Sequence, residues 1–389
     1  MTRMIHLAAC TCLLVIAPAI ALTGDAVPAG ALAPRFSTGG QWVNVATNGA
    51  VISTLVADGA SAPISWTLVS GALPPGISLS PTGSFIGTSS TPGEHAFVAQ
   101  VEDASGVPSS ASLVISVNAN VIAGSVQPQS FTATSTGLPV NFTVYLPPGY
   151  ASSSRRYPVL YHLHGIGGAH NGNQISLLPR SLEAAVRAGL VQDLILVFPD
   201  GYIDSFWADS ANSAKPAETH LVQELLPYMD SHYRTLTAPG FRIIQGFSMG
   251  GFGAAKFASK FPNLFTTCMV YDGALLNWTQ VQQRHAQQAQ EIFNNDGARF
   301  NLYSPWAWLG QNSTTLTSGS VFRDAVGALV NENRAWRDAL AANAQSSDYV
   351  ETGLIHALGP LLDAQGSNSW ALIGARLVQA DAIRSDGFE

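Results

Sequence analysis

A regular alternation of short apolar runs with longer helical patterns, beginning near residue 131, constrains the fold most strongly. The apolar runs include YPVLYHLHG, LILVFPDG, FRIIQGFS and FTTCMVYDGA, and longer segments such as AETHLVQELLPYMDSHY lie between them. Near-continuous apolar strands separated by helices are typical of a parallel sheet that is covered on both faces. Residues 131–380 are therefore predicted to form an α/β domain with a mostly parallel sheet.

Residues 35–118 have a different pattern. Short β-rich runs such as ISWTLV, HAFVAQVED and ASLVISVN are separated by turns rich in Gly, Pro and Ser. This spacing favours a β-sandwich. The acidic residues here follow no calcium-loop template, so they are interpreted as turn caps. They are Asp58, Glu94, Glu102 and Asp103.

The N-terminus has the features of a secretory signal. Arg3 precedes an apolar run, and Ala19-Ile20-Ala21 supplies small residues at the spacing of a cleavage site. The run is short for a membrane span and is broken by Pro18. We expect a signal peptide over residues 1–21 and no membrane contact after its cleavage, with an uncleaved anchor as the alternative. Residues 119–130 are predicted to be a linker, and residues 381–389 a tail.

Cysteine usage argues against a disulfide, and the charge argues against nucleic-acid binding. Two of the three cysteines fall inside the predicted signal, which leaves Cys268 in an apolar run without a disulfide partner. We expect it to be a small buried hydrophobe. The net charge is −7 and Lys and Arg form no cluster, so the basic surface that nucleic acid requires is missing.

The stretch QGFSMGGFGA places Ser248 between the apolar run FRII and a helical pattern. Gly246 and Gly250 complete the pattern G-x-S-x-G, which suits a sharp strand-to-helix turn that lifts the serine hydroxyl above a sheet. The N-terminus of the following helix favours a developing negative charge. Ser248 is therefore the predicted nucleophile, and an idle serine in a glycine-rich turn is the alternative.

The loop HLHGIGGAHNG ends an earlier strand and can offer a backbone N–H toward the same point. We assign the oxyanion hole to the amides of Ile166 and Met249. Three histidines in this loop, at positions 162, 164 and 170, lack a supporting carboxylate, so no metal site is predicted. His164 is interpreted as a residue that braces the loop.

His356, in DYVETGLIHALGP, follows the last apolar strand and precedes the terminal helix. In the chain order nucleophile, acid, histidine, this is the position of the general base.

Four stretches, YHLHGIGG, FPDG with SFWAD, VQELLPYMDSHYRT and GFSMGGFGA, together resemble the esterase D / carbohydrate esterase family 1 group of α/β-hydrolases. That group includes feruloyl and acetylxylan esterases and mycolyltransferases, and the resemblance covers about residues 131–380. It implies an α/β-hydrolase fold and a cofactor-free serine hydrolase acting on carboxylic esters. Residues 35–118 resemble immunoglobulin-like modules of secreted bacterial proteins. The resemblance implies a spacer or an adhesion unit, and in the second case contact with a cell surface or polysaccharide. Together with the predicted signal peptide, it predicts a secreted or periplasmic protein.

The sequence departs from this family at the acid of the triad. Members usually carry the acid after a glycine-ending strand, and the corresponding stretch here, SVFRDAVGALVNENRAWRDAL, is shortened. Asp272, at the end of the run MVYDG, is preferred narrowly over Glu332 because the shortened loop suggests that the acid has moved. An incomplete triad is a further alternative.

The segment LLNWTQVQQRHAQQAQEIFNNDGARFNLYSPWAWLGQN interrupts the alternation and is rich in aromatic residues. A cap that stacks on sugar or phenolic rings would fit, with Trp207, Trp278 and Trp306 as substrate-binding candidates, and a buried aromatic cluster is the alternative. The sequence thus predicts a secreted serine esterase for small or polysaccharide-linked esters. An acyltransferase and a glycan-binding protein with an impaired hydrolase domain are the competing hypotheses.

Overall fold

The computed structural model describes residues 62–118, 124–317 and 319–385, together with residues 35–36, 42–46, 55 and 57–58. The predicted signal peptide lies outside these residues. Within them, no helix has both the length and the apolar character needed to cross a membrane.

The N-terminal region is built of short, mainly antiparallel strands. A four-stranded sheet has the order β2-β8-β7-β4, in which only β2 and β8 run parallel, and β5 pairs with β6. A small core that includes Trp66, Phe97 and Ile115 holds this region together. The strands are β1 (Arg35–Phe36), β2 (Trp42–Ala46), β3 (Ala57–Asp58), β4 (Ser65–Gly71), β5 (Ile77–Leu79), β6 (Phe85–Gly87), β7 (Gly93–Glu102) and β8 (Ser109–Asn118).

The C-terminal region contains an eight-stranded sheet with the order β16-β15-β14-β13-β11-β12-β10-β9. Strands β11 to β16 are parallel, whereas β10 and β9 are antiparallel additions at one edge. The mostly parallel sheet is therefore confirmed. The strands are β9 (Ser125–Thr132), β10 (Pro139–Leu146), β11 (Val159–Leu163), β12 (Ile195–Pro199), β13 (Arg242–Phe247), β14 (Thr267–Tyr271), β15 (Val321–Val326) and β16 (Ser347–Glu351).

Helices cover both faces of this sheet, and the central strands β11 to β14 are buried along their length apart from a partly exposed Phe247. One helical segment, α2 to α3, has a π-helical middle over His220–Leu225. The helices are α1 (Gln174–Arg187), α2 (Ala217–Thr219), α3 (Leu226–His232), α4 (Met249–Lys260), α5 (Trp278–Arg284), α6 (Ala286–Glu291), α7 (Gly297–Asn301), α8 (Pro305–Gln311), α9 (Ser313–Thr317), α10 (Val330–Ala342) and α11 (Leu358–Ser385).

Two predicted boundaries need correction. The linker expected over residues 119–130 ends earlier, because residues 125–130 belong to β9 and pair with β10. Pro128 and the polar composition hid this strand, since an edge strand tolerates both. At the other end, α11 extends to Ser385, so residues 381–385 of the predicted tail are helical.

The segment between β14 and β15 forms the five short helices α5 to α9. Its aromatic side chains join the core of the α/β domain: Phe293 and Phe300 are almost fully buried, and Phe300 lies 6.1 Å, centroid to centroid, from Phe252 of α4. This insertion is thus fixed to the helix that follows the predicted nucleophile.

Candidate active site

Ser248 lies at the junction of β13 and α4 in a strained backbone conformation. Its φ and ψ angles are 57° and −118°, a region that costs a non-glycine residue about 1–3 kcal/mol. The Ser248 side chain caps none of the amides of α4. The hydroxyl is thus presented at the carboxyl edge of the sheet, as the sequence motif predicts.

The glycines of the motif are required by close backbone contacts. A Cβ atom on Gly246 would lie 1.9 Å from the carbonyl oxygen of Gly250, and one on Gly250 would lie 1.9 Å from that of Leu163. A Cβ on Gly251 would lie 2.6 Å from the Cα atom of Gly273. No side chain fits at these distances, so the turn depends on glycine at each position.

His356 lies between Ser248 and Asp272. Its Nε2 atom is 2.9 Å from Oγ of Ser248, and its Nδ1 atom is 2.6 Å from Oδ2 of Asp272. When Nδ1–H donates to the carboxylate, Nε2 is left to accept the hydroxyl proton. The imidazole also stacks on Phe247 at 4.7 Å, and its side chain is 36% exposed. The structure thus brings together three residues that are far apart in sequence.

Asp272 is held by three backbone amides. It follows β14, has a φ angle of 44° and accepts hydrogen bonds from the N–H groups of Gly327, Ala328 and Leu329 at 2.9–3.0 Å. Burial acts to raise the pKa of this carboxyl group, but the hydrogen bonds from His356 and from the backbone amides outweigh it and lower the pKa. Asp272 therefore stays ionised and fixes the orientation of the imidazole.

Glu332, the alternative acid, lies elsewhere. It is in the first turn of α10, and its Oε1 atom accepts a hydrogen bond from Nη1 of Arg284 at 2.5 Å. The position expected from the family pattern instead supplies the amides that hold Asp272. Two other acidic residues of this stretch lie away from the imidazole: Asp324 is within strand β15, and Asp338 is on an exposed helix face, where it pairs with Arg337.

The predicted oxyanion loop packs against the serine. A Cβ on Gly165, the residue before Ile166, would lie 3.2 Å from Cβ of Ser248, so this loop packs against the nucleophile. Met249 begins α4. Within the described part of the chain, no acceptor is found for the backbone N–H of either Ile166 or Met249. Both amides are thus available to an oxygen atom of a substrate.

The histidines of the same loop have separate partners. His162 is buried and contacts Nε2 of Gln245, and burial lowers its pKa to about 3. His170 contacts Thr143, whereas His164 accepts a hydrogen bond from the backbone N–H of Gly201. Among the described residues, no group of three or more His, Cys, Asp and Glu side chains is arranged to hold a metal ion.

The tryptophan candidates occupy different environments. Trp207 is fully buried, which corrects the expectation that it contacts substrate, because it has no accessible surface. Trp278 packs against Phe293 and Phe300, and Trp306 packs against Trp336 at 5.3 Å. Trp278 and Trp306 are partly exposed, and their contact with substrate stays a prediction.

Two structural features that hold this site in place are not predicted by the sequence. One is the set of backbone amides at residues 327–329, which bind the carboxylate of Asp272. The only sequence feature that points to them is the glycine at position 327. A Cβ there would lie 2.9 Å from Oδ2 of Asp272. The other is the strained loop of residues 201–207, in which Tyr202, Phe206 and Trp207 all have positive φ angles. No residue pattern in this loop signals the strain.

Two known protein families match parts of this chain. Residues 133–380 match the family described as "Putative esterase", and residues 37–118 match the "Putative Ig domain" family. An esterase of Mycobacterium tuberculosis is 33% identical over 147 residues, which cover 37% of this chain and 31% of that protein. An endo-1,4-beta-xylanase/feruloyl esterase of Xylanibacter ruminicola is 29% identical over 152 residues, 36% of this chain and 20% of that protein. The chain thus matches less than a third of the length of these relatives.

Solved structures share the fold of the C-terminal domain. A ferulic acid esterase has a TM-score of 0.56 at 17% identity, covering 65% of this chain and 98% of its own. An S-formylglutathione hydrolase from Agrobacterium tumefaciens has a TM-score of 0.56 at 16% identity, covering 66% and 97%. These likenesses confirm the α/β-hydrolase fold. Through a match that spans more than half of its length, the chain belongs to the esterase family, and an immunoglobulin-like domain precedes its esterase domain.

Proposed function

We propose that this protein is a serine esterase that hydrolyses carboxylic esters through an acyl-enzyme on Ser248. One observation carries the proposal: a strained serine, an imidazole and an ionised carboxylate form a continuous hydrogen-bonded series, with spacings of 2.9 Å and 2.6 Å. The amides of Ile166 and Met249, for which the described residues provide no acceptor, belong to the two segments that meet at this serine. Nucleophile, base, orienting acid and oxyanion donors are the groups that ester hydrolysis requires.

The reaction follows from these positions. Oγ of Ser248 attacks the ester carbonyl carbon while Nε2 of His356 takes the hydroxyl proton, and the carbonyl π electrons move to the oxygen. The amides of Ile166 and Met249 stabilise that oxyanion. The carbonyl double bond then re-forms and the bond between the carbonyl carbon and the alcohol oxygen breaks. The alcohol leaves with the proton from His356. Water then attacks the acyl-enzyme by the same route, which releases the carboxylic acid and restores Ser248.

We further propose that the substrates are esters carried by carbohydrates and that the protein acts outside the cytoplasm. Support comes from the xylanase/feruloyl esterase relative, from the ferulic acid esterase fold neighbour, and from the immunoglobulin-like domain. The side chain of His356 is 36% exposed, so the site can be reached from solvent. A panel of feruloyl, acetyl-sugar and p-nitrophenyl esters tests the substrate class. A preference for simple aryl esters over every sugar ester would contradict it.

A fluorophosphonate probe tests the chemistry. We expect the wild-type protein to be labelled and to hydrolyse p-nitrophenyl acetate, and Ser248→Ala to do neither while unfolding at the same temperature as wild type. An unlabelled, folded wild-type protein would instead support a binding protein. Product analysis with an added alcohol acceptor separates the two covalent outcomes, because a transferase would yield mainly a new ester and a hydrolase mainly free acid.

A further inference from the structure

Loop 164–167, which carries one of the two oxyanion amides, is held by a neighbouring loop. The backbone N–H of Gly201 donates to Nε2 of His164 at 3.0 Å, and the N–H of Gly167 donates to the carbonyl oxygen of Ile203 at 2.6 Å. The indole Nε1–H of Trp207 donates to the carbonyl oxygen of His164 at 3.2 Å. Three hydrogen bonds thus join loop 164–167 to residues 201–207.

Trp207 is also fixed to α4, whose first residue, Met249, carries the second oxyanion amide. Nζ of Lys256, a fully buried residue of α4, donates to the carbonyl oxygen of Trp207. A Cβ on Gly253 would lie 2.7 Å from Cγ and Cδ1 of the indole, and one on Gly201 would lie 2.5 Å from its six-membered ring. The indole therefore fills the space between Gly201 and Gly253.

The loop also contacts Met249 directly. The backbone N–H of Phe206 points at Sδ of Met249 at 3.3 Å. Phe206 and Trp207 both have positive φ angles, 51° and 56°. Residues other than glycine keep such angles only where surrounding contacts impose them, and these positions are often found at functional sites.

We propose that Trp207 is a positioning residue, which sets the separation of the Ile166 and Met249 amides by holding loop 164–167 against α4. The role rests on the proposed esterase function. Both amides must lie about 2.7–3.1 Å from the oxyanion, so a small shift of one loop weakens stabilisation of the transition state. A displacement of about 1 Å can lower a rate by roughly 100-fold. Substrate binding in the ground state depends much less on this spacing.

Trp207→Phe tests the role, because it removes the indole N–H and keeps an aromatic ring. We expect kcat to fall about 10- to 100-fold, with KM within about threefold of wild type. Affinity for a trifluoromethyl ketone, which forms a tetrahedral oxyanion with the serine, should fall by a similar factor. The matched control is Trp370→Phe: Trp370 is buried in α11 and its Nε1–H donates to Oγ of Ser181 at 2.8 Å. This control should lose a comparable hydrogen bond and keep both values within about twofold.

A folded Trp207→Phe variant with kcat and ketone affinity within about twofold of wild type would overturn the positioning role alone. A wild-type protein that neither hydrolyses esters nor binds the ketone would overturn the proposed function, and the positioning role with it. If Trp207→Phe does not fold, Gly253→Ala decides the matter, because its methyl group would displace the indole from the other side. We expect the same parallel loss of kcat and ketone affinity, and an unchanged kcat in that variant would overturn the role.

Discussion

Oδ2 of Asp272 lies 2.6 Å from Nδ1 of His356, although Asp272 follows β14 and not β15, after which the family usually carries its acid. The end of β15 still contributes, because the amides of residues 327–329 bind the carboxylate. The carboxylate that meets the imidazole thus follows β14, and the segment after β15 holds it through backbone amides.

Asp272→Asn should lower kcat by about 10²- to 10⁴-fold, because an amide cannot hold the imidazole in the required tautomer or stabilise its charged form. Glu332→Gln is the matched control, since it removes only the pairing with Arg284. Its kcat should stay within about threefold of wild type. Steady-state kinetics on p-nitrophenyl acetate compares the two variants. The reverse order of effects would assign the acid to Glu332.

The acid limb of the pH–rate profile should report a single proton. A general base acts only in its unprotonated form, so kcat/KM falls as the pH is lowered. Hydrogen bonds lower the pKa of Asp272 below its usual range despite its burial, so its carboxylate remains charged through this limb. A plot of log kcat/KM against pH should therefore have a slope of one. A slope of two would mean that Asp272 takes up a proton over the same range.

Gly250→Ala should destabilise the fold by about 3 kcal/mol, because the new methyl group would overlap the carbonyl oxygen of Leu163 and force the backbone to move. Gly310→Ala is the control, since a Cβ there has nothing within 4 Å and α8 should gain about 0.5–1 kcal/mol. Urea unfolding measures both changes. Equal stability of the two variants would contradict the close approach of α4 to β11.

Asp324→Asn should stabilise the protein increasingly as the pH rises. Asp324 is fully buried, and neither of its carboxylate oxygens has a hydrogen-bond partner among the described residues. Burial raises its pKa to about 8. Between about pH 4 and 8 the folded state retains a proton that the unfolded state has lost, so this group's contribution to stability declines with pH. Asparagine removes that decline.

Urea unfolding at pH 5, 7 and 9 tests this prediction. The difference in unfolding free energy between Asp324→Asn and wild type should grow from the lowest to the highest pH. Comparison with wild type at each pH cancels the titration of all other groups. A difference that does not change with pH would show that Asp324 titrates alike in both states.

The layout of the sheet and two of the site residues could be predicted because local signals specify them. Apolar runs define the strands, and the glycines around Ser248 report a turn that only they permit. Chain order placed His356 after the last strand. The strands and the turn at Ser248 depend on neighbours within about ten residues, whereas the position of His356 follows from the order of the triad residues along the chain.

The remaining features depend on contacts between distant segments. The sequence favours Asp272 over Glu332 only narrowly, because the amides that hold its carboxylate lie 55–57 residues further along the chain. The burial of Trp207 required Gly201 and Gly253 to face it from two separate elements. Strand β9 was hidden because its hydrogen bonds to β10, and not its composition, define it.

The insertion between β14 and β15 has a consequence for how substrate enters. Its rings at Phe293 and Phe300 are anchored in the same core as α4, so lifting this segment would expose aromatic surface that the domain otherwise keeps from water. We therefore expect this segment to stay in place during turnover and not to act as a hinged gate. Turnover should begin without a lag and should not need a lipid–water interface to start it.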